Sequence, residues 1–289
     1  MHRLLALTLC LLACFNAPVQ AQPQPSAEEV APLQRWKSLH PRHGEIALPN
    51  GVATLQVPDQ FAYFDPAETE TILVEFWGNP PGAQTLGLLM PADATPFDAT
   101  SWAVTINYEE EGHVSDEDAA DIDYDDLLKE MRSDTAATNE HRKKEGYPPI
   151  TLLGWAATPF YDSTNHKLHW AKELQFGDQS QRTLNYNIRV LGREGVLVLN
   201  FIADMPQKPT IDAQLDSVLK IAEFNAGARY EDFDPKLDQV AAYGLGALIT
   251  GKVAAKSGLL ATALIFAKKF GVFIVAGIGA WFGRIFKRK

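Results

Sequence analysis

Two consecutive strand-like runs carry the most suggestive polar pattern in the chain. In 167–176, His169, Glu173 and Gln175 alternate with Leu168, Trp170, Leu174 and Phe176; in 182–191, Thr183, Asn185, Asn187 and Arg189 alternate with Leu184, Tyr186, Ile188 and Val190. A period of two puts each set on one face of its strand. Joined by a hairpin through 177–181, the runs should set apolar beside apolar, because a slip of one residue turns every side chain to the other face. A connection centred on Gln179 does this and places Trp170 beside Ile188, Glu173 beside Asn185 and His169 beside Arg189. The result is a candidate ligand-binding face of His169, Glu173, Asn185, Asn187 and Arg189. On it Arg189 grips an anion while Glu173 and Asn187 orient it. Thr105 and Asn107, from another alternating run, extend the same face. The plainer alternative is a sheet surface that is solvated or covered by a helix.

A second constellation is acidic. Residues 109–126 hold ten carboxylates and no Lys or Arg, and Asp121, Asp123 and Asp125 have the spacing of the first three ligands of a calcium loop. Asp126 stands where such a loop needs its turn glycine and Arg132 where it needs its closing glutamate, so a standard EF-hand is excluded. What is left is an irregular calcium site or a solvated loop feeding a helix start. His166 and His169 are an odd number apart, so on a strand they point to opposite faces and cannot share an ion. Ser217 and Lys220 have the spacing of a serine nucleophile and its lysine, without the companion motifs and on an ordinary amphipathic helix. No HExxH, CxxC or phosphate-loop pattern occurs, and no cofactor is expected.

These residues sit in a chain built around its ends. The formal net charge of -10 divides unevenly: 22–238 hold 17 basic residues against all 36 acidic ones, and 239–289 hold eight basic residues and no acid. An acidic body repels nucleic acid, while a basic end suits an anionic cytoplasmic leaflet. Residues 1–21 read as a cleaved signal peptide, with Arg3, an apolar run and Val19-Gln20-Ala21 at the cleavage site. Cys10 and Cys14 both fall inside it, leaving the mature chain without a thiol; Leu11-Leu12-Ala13-Cys14 only loosely fits a lipoprotein box. Residues 259–282 are almost wholly apolar and precede Arg284, Lys287, Arg288 and Lys289, which reads as a transmembrane anchor at 259–286 with a basic cytoplasmic tail at 287–289. Lys268 and Lys269 make this span marginal. Gly279 and Gly283 offer a small-residue seam for self-association.

Between the ends the pattern predicts a flexible lead-in (22–35), an α+β domain (36–233) and a stem helix (234–258). Pro49-Asn50-Gly51 predicts a hairpin, and Asp65-Pro66-Ala67-Glu68 a capped helix start. Helices are expected at 124–145 and 210–224, and strands at 85–90, 101–108, 150–157, 167–176, 182–191 and 196–202. Gly244, Gly251 and Gly258 recur every seven residues, consistent with one face of the stem helix packed closely or with glycines kept for flexibility. Strands bracketed by a few helices, without strict alternation, give a mainly antiparallel sheet with helices packed on it. The element order resembles the sandwich of the photosystem PsbP and Mog1 proteins, a likeness that carries no function.

The blocks GHVSDEDAADIDYDDLLKEMR from Gly112, LLGWAATPFYDSTNHKLHWAKEL from Leu152, LNYNIRVLGREGVL from Leu184 and ARYEDFDPKLDQVAAYGLGALITGKVAAKSG from Ala228 resemble an uncharacterised bacterial membrane-anchored family, domain of unknown function 2167. The resemblance runs from about Trp36 to the tail. It implies a Gram-negative envelope protein and offers no catalytic residues. The reading that follows is a non-enzymatic periplasmic binding or scaffolding module, tethered to the bacterial inner membrane by one helix and holding an envelope partner. The alternative is an envelope hydrolase using the polar face of the sheet.

Overall fold

Gly51 takes φ +74°, and around it Gly44–Ala47 (β1) folds back antiparallel on Ala53–Val57 (β2), with Ile46 opposite Leu55. The expected hairpin forms, with the positive φ carried by Gly51 alone and not by Asn50, and with Gly51 N donating to Leu48 O at 2.9 Å. The computed structural model describes residues 27–251, apart from 80, 83 and 145. The expected signal peptide, Gly258 and the 259–286 anchor lie outside the described residues. Among those described, no helix is long and apolar enough to cross a membrane. Residues 1–38 and 39–289 form separate units. In the first, Ala27–Lys37 is a helix (α1) with Pro32 inside it, where the lead-in was expected to be flexible.

In the second unit, Phe61–Phe64 (β3) leads to Pro66–Glu70 (α2). The Asp65 carboxylate accepts from Ala67 N and Glu68 N at 3.0 Å each, and Glu68 accepts from Asp65 N at 3.2 Å, a reciprocal cap. The helix widens into a π-helical turn, Thr71–Phe76, that buries Ile72 and Leu73. Gly87–Pro91 (β4) and Ala103–Glu109 (β5) follow, then helix Tyr124–Lys144 (α3), strands Ile150–Asp162 (β6), Lys167–Phe176 (β7), Arg182–Leu191 (β8) and Val196–Asp204 (β9), and helix Lys208–Ile221 (α4). Residues Ala222–Phe224, expected to continue α4, turn into a short strand (β10) against β2, setting Ala222 opposite Leu55.

The large sheet has seven antiparallel strands in the order β3-β4-β5-β9-β8-β7-β6, and β1-β2-β10 form a second sheet of three. The smaller sheet and α4 cover the first face of the large one. Leu55, Ile211 and Val218 pack there with Leu184, Tyr186, Ile188 and Val190 of β8. On the second face α2 lies against β3 and β4, and α3 against β6. A short helix, Leu245–Thr250 (α5), joins Leu128 and Met131 of α3 over Leu168, Trp170 and Val198.

Burial on both faces overturns the expected β7–β8 register. Trp170 stands opposite Asn187, His169 opposite Ile188 and Glu173 opposite Leu184, one residue from the expected pairing. The rule that apolar must meet apolar assumes one dry face. Here the apolar stripe of β7 (Leu168, Trp170) lies under α3 and α5, and that of β8 lies under α4. The two stripes face opposite ways, so the even register is the one that buries both.

The stem helix expected over 234–258 does not run unbroken through its described part, 234–251. Residues 234–244 run without helix: His113 N donates to Gln239 O at 2.8 Å, Ala241 N to His113 O at 2.8 Å, and Arg193 holds Asp238 through Nε and Nη2 at 2.7 and 2.8 Å. Gly244 and Gly251 do not share a helix face. Gly244 caps the start of α5, where a Cβ would lie 2.4 Å from Asp118, and Gly251 ends it at φ +73°.

Candidate functional site

The period-two alternation of β8 turns Asn185, Asn187 and Arg189 to the second face, away from α4. Cross-strand pairing brings Lys172 opposite Asn185, Trp170 and Asn200 on either side of Asn187, and Thr105 opposite Asn200. Asn107 lies on the same side of β5. Trp170, Asn187 and Thr105 are buried; Lys172, Asn185, Arg189, Asn200 and Asn107 keep part of their surface. The outcome is a polar strip across the middle of the sheet, flanked by α2 on one side and by α3 and α5 on the other.

Of the five residues expected to form a face, only Asn185, Asn187 and Arg189 come together. His169 and Glu173 lie on the first face. His169 Nδ1 is 3.3 Å from the Tyr186 hydroxyl, its ring lies 5.5 Å from that of Phe160, and burial lowers its pKa. Glu173 pairs with Arg182 at 2.5 Å. The expected face and its register therefore fall together as a five-residue set, and Lys172, Trp170 and Asn200 take the vacated places. A signal for two of them was present in the sequence: Lys172 interrupts the apolar side of β7, and Asn200 interrupts Val196–Asp204, which is otherwise apolar up to Ala203.

The strip is rich in donors. Arg189 Nη1 donates to Ile188 O and Asn200 Oδ1, both at 3.2 Å, and its guanidinium carbon lies 5.2 Å from the centre of the Trp170 ring. Arg189 Nε and Trp170 Nε1 are buried without a hydrogen-bond partner. Among the described residues no carboxylate forms an ion pair with Lys172 or Arg189, and the chain has no acid after Asp238. Burial, reinforced by the Arg189 charge, pushes the Lys172 ammonium down to about 8. Burial lowers Arg189 too, although an arginine keeps its proton at neutral pH. Such a surface can hold an acceptor-rich group.

Asp121, Asp123 and Asp125 do not form a metal centre. Among the described residues no group of three or more His, Cys, Asp or Glu could hold an ion. Asp123 is occupied as a helix cap, accepting from Asp125 N and Asp126 N at 2.9 Å each, and Asp121 belongs to the preceding 3₁₀ turn.

A second polar cluster has no counterpart in the sequence reading. The Asp116 carboxylate accepts from the Tyr161 hydroxyl at 2.6 Å and the Tyr230 hydroxyl at 3.0 Å, and His166 Nδ1 lies 3.1 Å from the same Tyr161 oxygen. His166 holds φ +50° in the β6–β7 turn, a conformation that costs a non-glycine residue about 1 kcal/mol or more. The rings of Phe233, His113, Tyr230 and His166 form a column with centroids 3.9, 4.3 and 4.0 Å apart. Burial alone would raise the Asp116 carboxyl, but the two tyrosine hydrogen bonds together hold it below its ordinary value. Burial and the same carboxylate push Tyr161 far above its usual range. The three chain segments involved, 113–116, 161–166 and 230–233, lie 45 or more residues apart, so no local pattern announces the cluster.

Residues 40–279 match the model of a family described as a protein of unknown function, DUF2167. No curated protein matches. Among solved structures the chain is similar to cyanobacterial PsbP (CyanoP) from Synechocystis sp. PCC 6803, at 8% identity and TM-score 0.35, covering 63% of this chain and 91% of that one. The Saccharomyces cerevisiae Ran-binding protein Mog1p is similar at 12% identity and TM-score 0.31, with 64% and 86% covered. LpqN of Mycobacterium tuberculosis, described as involved in cell envelope biogenesis, is similar at 10% identity and TM-score 0.31, with 67% and 96% covered. These likenesses are too distant to argue from.

Proposed function

The chain belongs to the DUF2167 family, and on that premise we propose that it is an envelope module that works by binding rather than by turnover. Its domain is exported to the periplasm of a Gram-negative cell and tethered to the inner membrane by the apolar C-terminal segment. The observation that carries the binding reading is the polar strip itself. A sheet face between helices is normally closed by apolar side chains, and buried polar groups left without partners cost stability unless something else satisfies them. Here Trp170, Arg189 and Lys172 stand in that position with donors to spare, while Asn187 spends its amide donors on Asn185 O and Oδ1 at 3.1 and 3.0 Å.

Cross-linking and pull-down of the full chain from envelopes tests this reading. A component retained at stoichiometric amounts by the native chain, and lost with Asn187→Ala combined with Asn200→Ala, is the expected result. Catalytic consumption of an envelope component without stoichiometric retention would overturn it. The tether has its own test: a phosphatase reporter fused after Gly227 should be active in the periplasm and one fused after Lys289 inactive, and the reverse pattern rejects the topology.

A further inference from the structure

The strip combines two cations on neighbouring strands; among the described residues neither forms an ion pair, and the carboxylate that acts on Arg189 is that of Glu109, from the same face of β5. Lys172 of β7 lies opposite Asn185 of β8, and Arg189 projects from the same face of β8 two positions beyond Asn187. The Arg189 guanidinium is fixed by its stacking on Trp170 and by two carbonyl acceptors, yet its Nε is left buried and unpaired beside the equally unpaired Trp170 Nε1. Every unsatisfied atom here is a donor. We propose that this strip is a binding site for a phosphate-type oxyanion, held between the Lys172 ammonium and the Arg189 guanidinium and oriented by Trp170. The proposal rests on the binding reading above and names the chemistry of its ligand.

Three considerations separate this from a structural role. Two half-buried like charges do not stabilise a fold, and replacing such groups by apolar ones of similar size is commonly neutral or stabilising. The donor set approaches from more than one direction, with a point charge on one side and a planar fork on the other. That suits a tetrahedral oxyanion with several acceptor oxygens, whereas a single carboxylate would be saturated by the guanidinium alone. Lastly, Lys172 has its pKa depressed to about 8 by burial and by Arg189. An anion between the two would reverse both effects, so binding takes up a proton and weakens as pH rises above about 8. The other charged or titratable groups acting on this pair are Glu109 and Tyr243, both through Arg189.

The phosphate group has two sources, free phosphate and a phospholipid headgroup. The second is worth its own arm because α5 packs in the same apolar cluster as Trp170 and ends at Gly251, eight residues before the expected anchor in the sequence. The experiment uses the full chain in neutral detergent, titrated with inorganic phosphate in one arm and with short-chain phosphatidylglycerol in the other. Chloride at equal ionic strength and short-chain phosphatidylcholine serve as controls. Saturable thermal stabilisation in either arm, weakened about tenfold or more in affinity by Lys172→Met and by Arg189→Met, supports the site and identifies the source. Lys172→Arg should keep the affinity and remove its dependence on pH above 8. Both methionine variants should fold, since each removes a desolvated charge, and their unliganded melting temperatures verify it. No stabilisation beyond the controls in both arms, or stabilisation unchanged in both methionine variants, overturns the oxyanion site. If capture of an envelope component still depends on Asn187 and Asn200 in that event, the binding reading survives without it.

Discussion

Two polar clusters lie on this domain, and they differ in how completely their hydrogen bonds are made. Around Asp116 the hydroxyl donors are all taken: Tyr161 and Tyr230 meet one carboxylate, Tyr230 has Val114 O within reach as well, and His166 lies on the Tyr161 oxygen, although His113 Nδ1 in the adjoining ring column is buried without a partner. On the strip around Arg189 the donors outnumber the acceptors, and two of them are buried without partners. A saturated network lowers the energy of the folded chain by itself; an unsaturated one does so only when something else arrives. A carboxylate with two tyrosines thus acts as a staple in one place, while the cations of the other are what the proposed ligand would satisfy.

The strongest way to test this contrast is Asp116→Ala. It removes the acceptor two tyrosine hydroxyls share, leaving Tyr230 with Val114 O and Tyr161 with His166 Nδ1, each at 3.1 Å, and should cost about 1–2 kcal/mol of unfolding free energy, while phosphate-dependent stabilisation persists. Urea denaturation with and without phosphate measures both. A loss below about 0.5 kcal/mol would remove the staple from the comparison.

Lys172→Met should act in the opposite direction, raising stability at neutral pH by about 1–2 kcal/mol. The two regions also differ in their response to pH. The Lys172 pKa lies below its ordinary value of 10.5, so between about 8 and 10.5 the unfolded chain binds more protons and native stability rises with pH. That rise should vanish in Lys172→Met. On the acid side burial lowers His113, and the tyrosine hydrogen bonds lower Asp116. Each contributes stability above its unfolded pKa that is lost as pH falls through its folded value. Denaturation midpoints across pH 3 to 10.5, compared with Lys172→Met and His113→Phe, should assign the two limbs separately; a native profile unchanged by either variant would contradict the assignment.

The smallest effect is expected from His166→Gly. Relief of the left-handed backbone gains about 1 kcal/mol, and loss of the Tyr230 stack and the Tyr161 hydrogen bond costs a similar amount, so the net change should stay within about 1 kcal/mol. A larger stabilisation would show that the ring column contributes nothing and that His166 is held at φ +50° for another reason.

Local chemistry was legible in the sequence. Asn50-Gly51 specified its hairpin, Asp65 and Glu68 specified reciprocal caps, and the alternation of Lys167–Phe176 and Arg182–Leu191 specified two strands with the bounds they have. The faces of those strands could be sorted for the same reason, which is why Asn185, Asn187 and Arg189 were grouped correctly with one another. Which face of β7 joins them was decided by tertiary structure. A stripe of Leu168 and Trp170 is equally apolar under α3 and α5 or under α4, and only the presence of cover on both sides selects the register that buries both stripes. Phe61–Phe64 was missed because a strand buried on both faces shows no alternation, and the end of α4 was misplaced because Ala222–Phe224 owes its extended form to β2. Sequence by itself thus determined what each residue can do with its near neighbours along the chain. The assembly of Lys172, Trp170, Arg189 and Asn200 depended on pairing across three strands, whose register is set by the sum of burial on two faces and is written in no single segment.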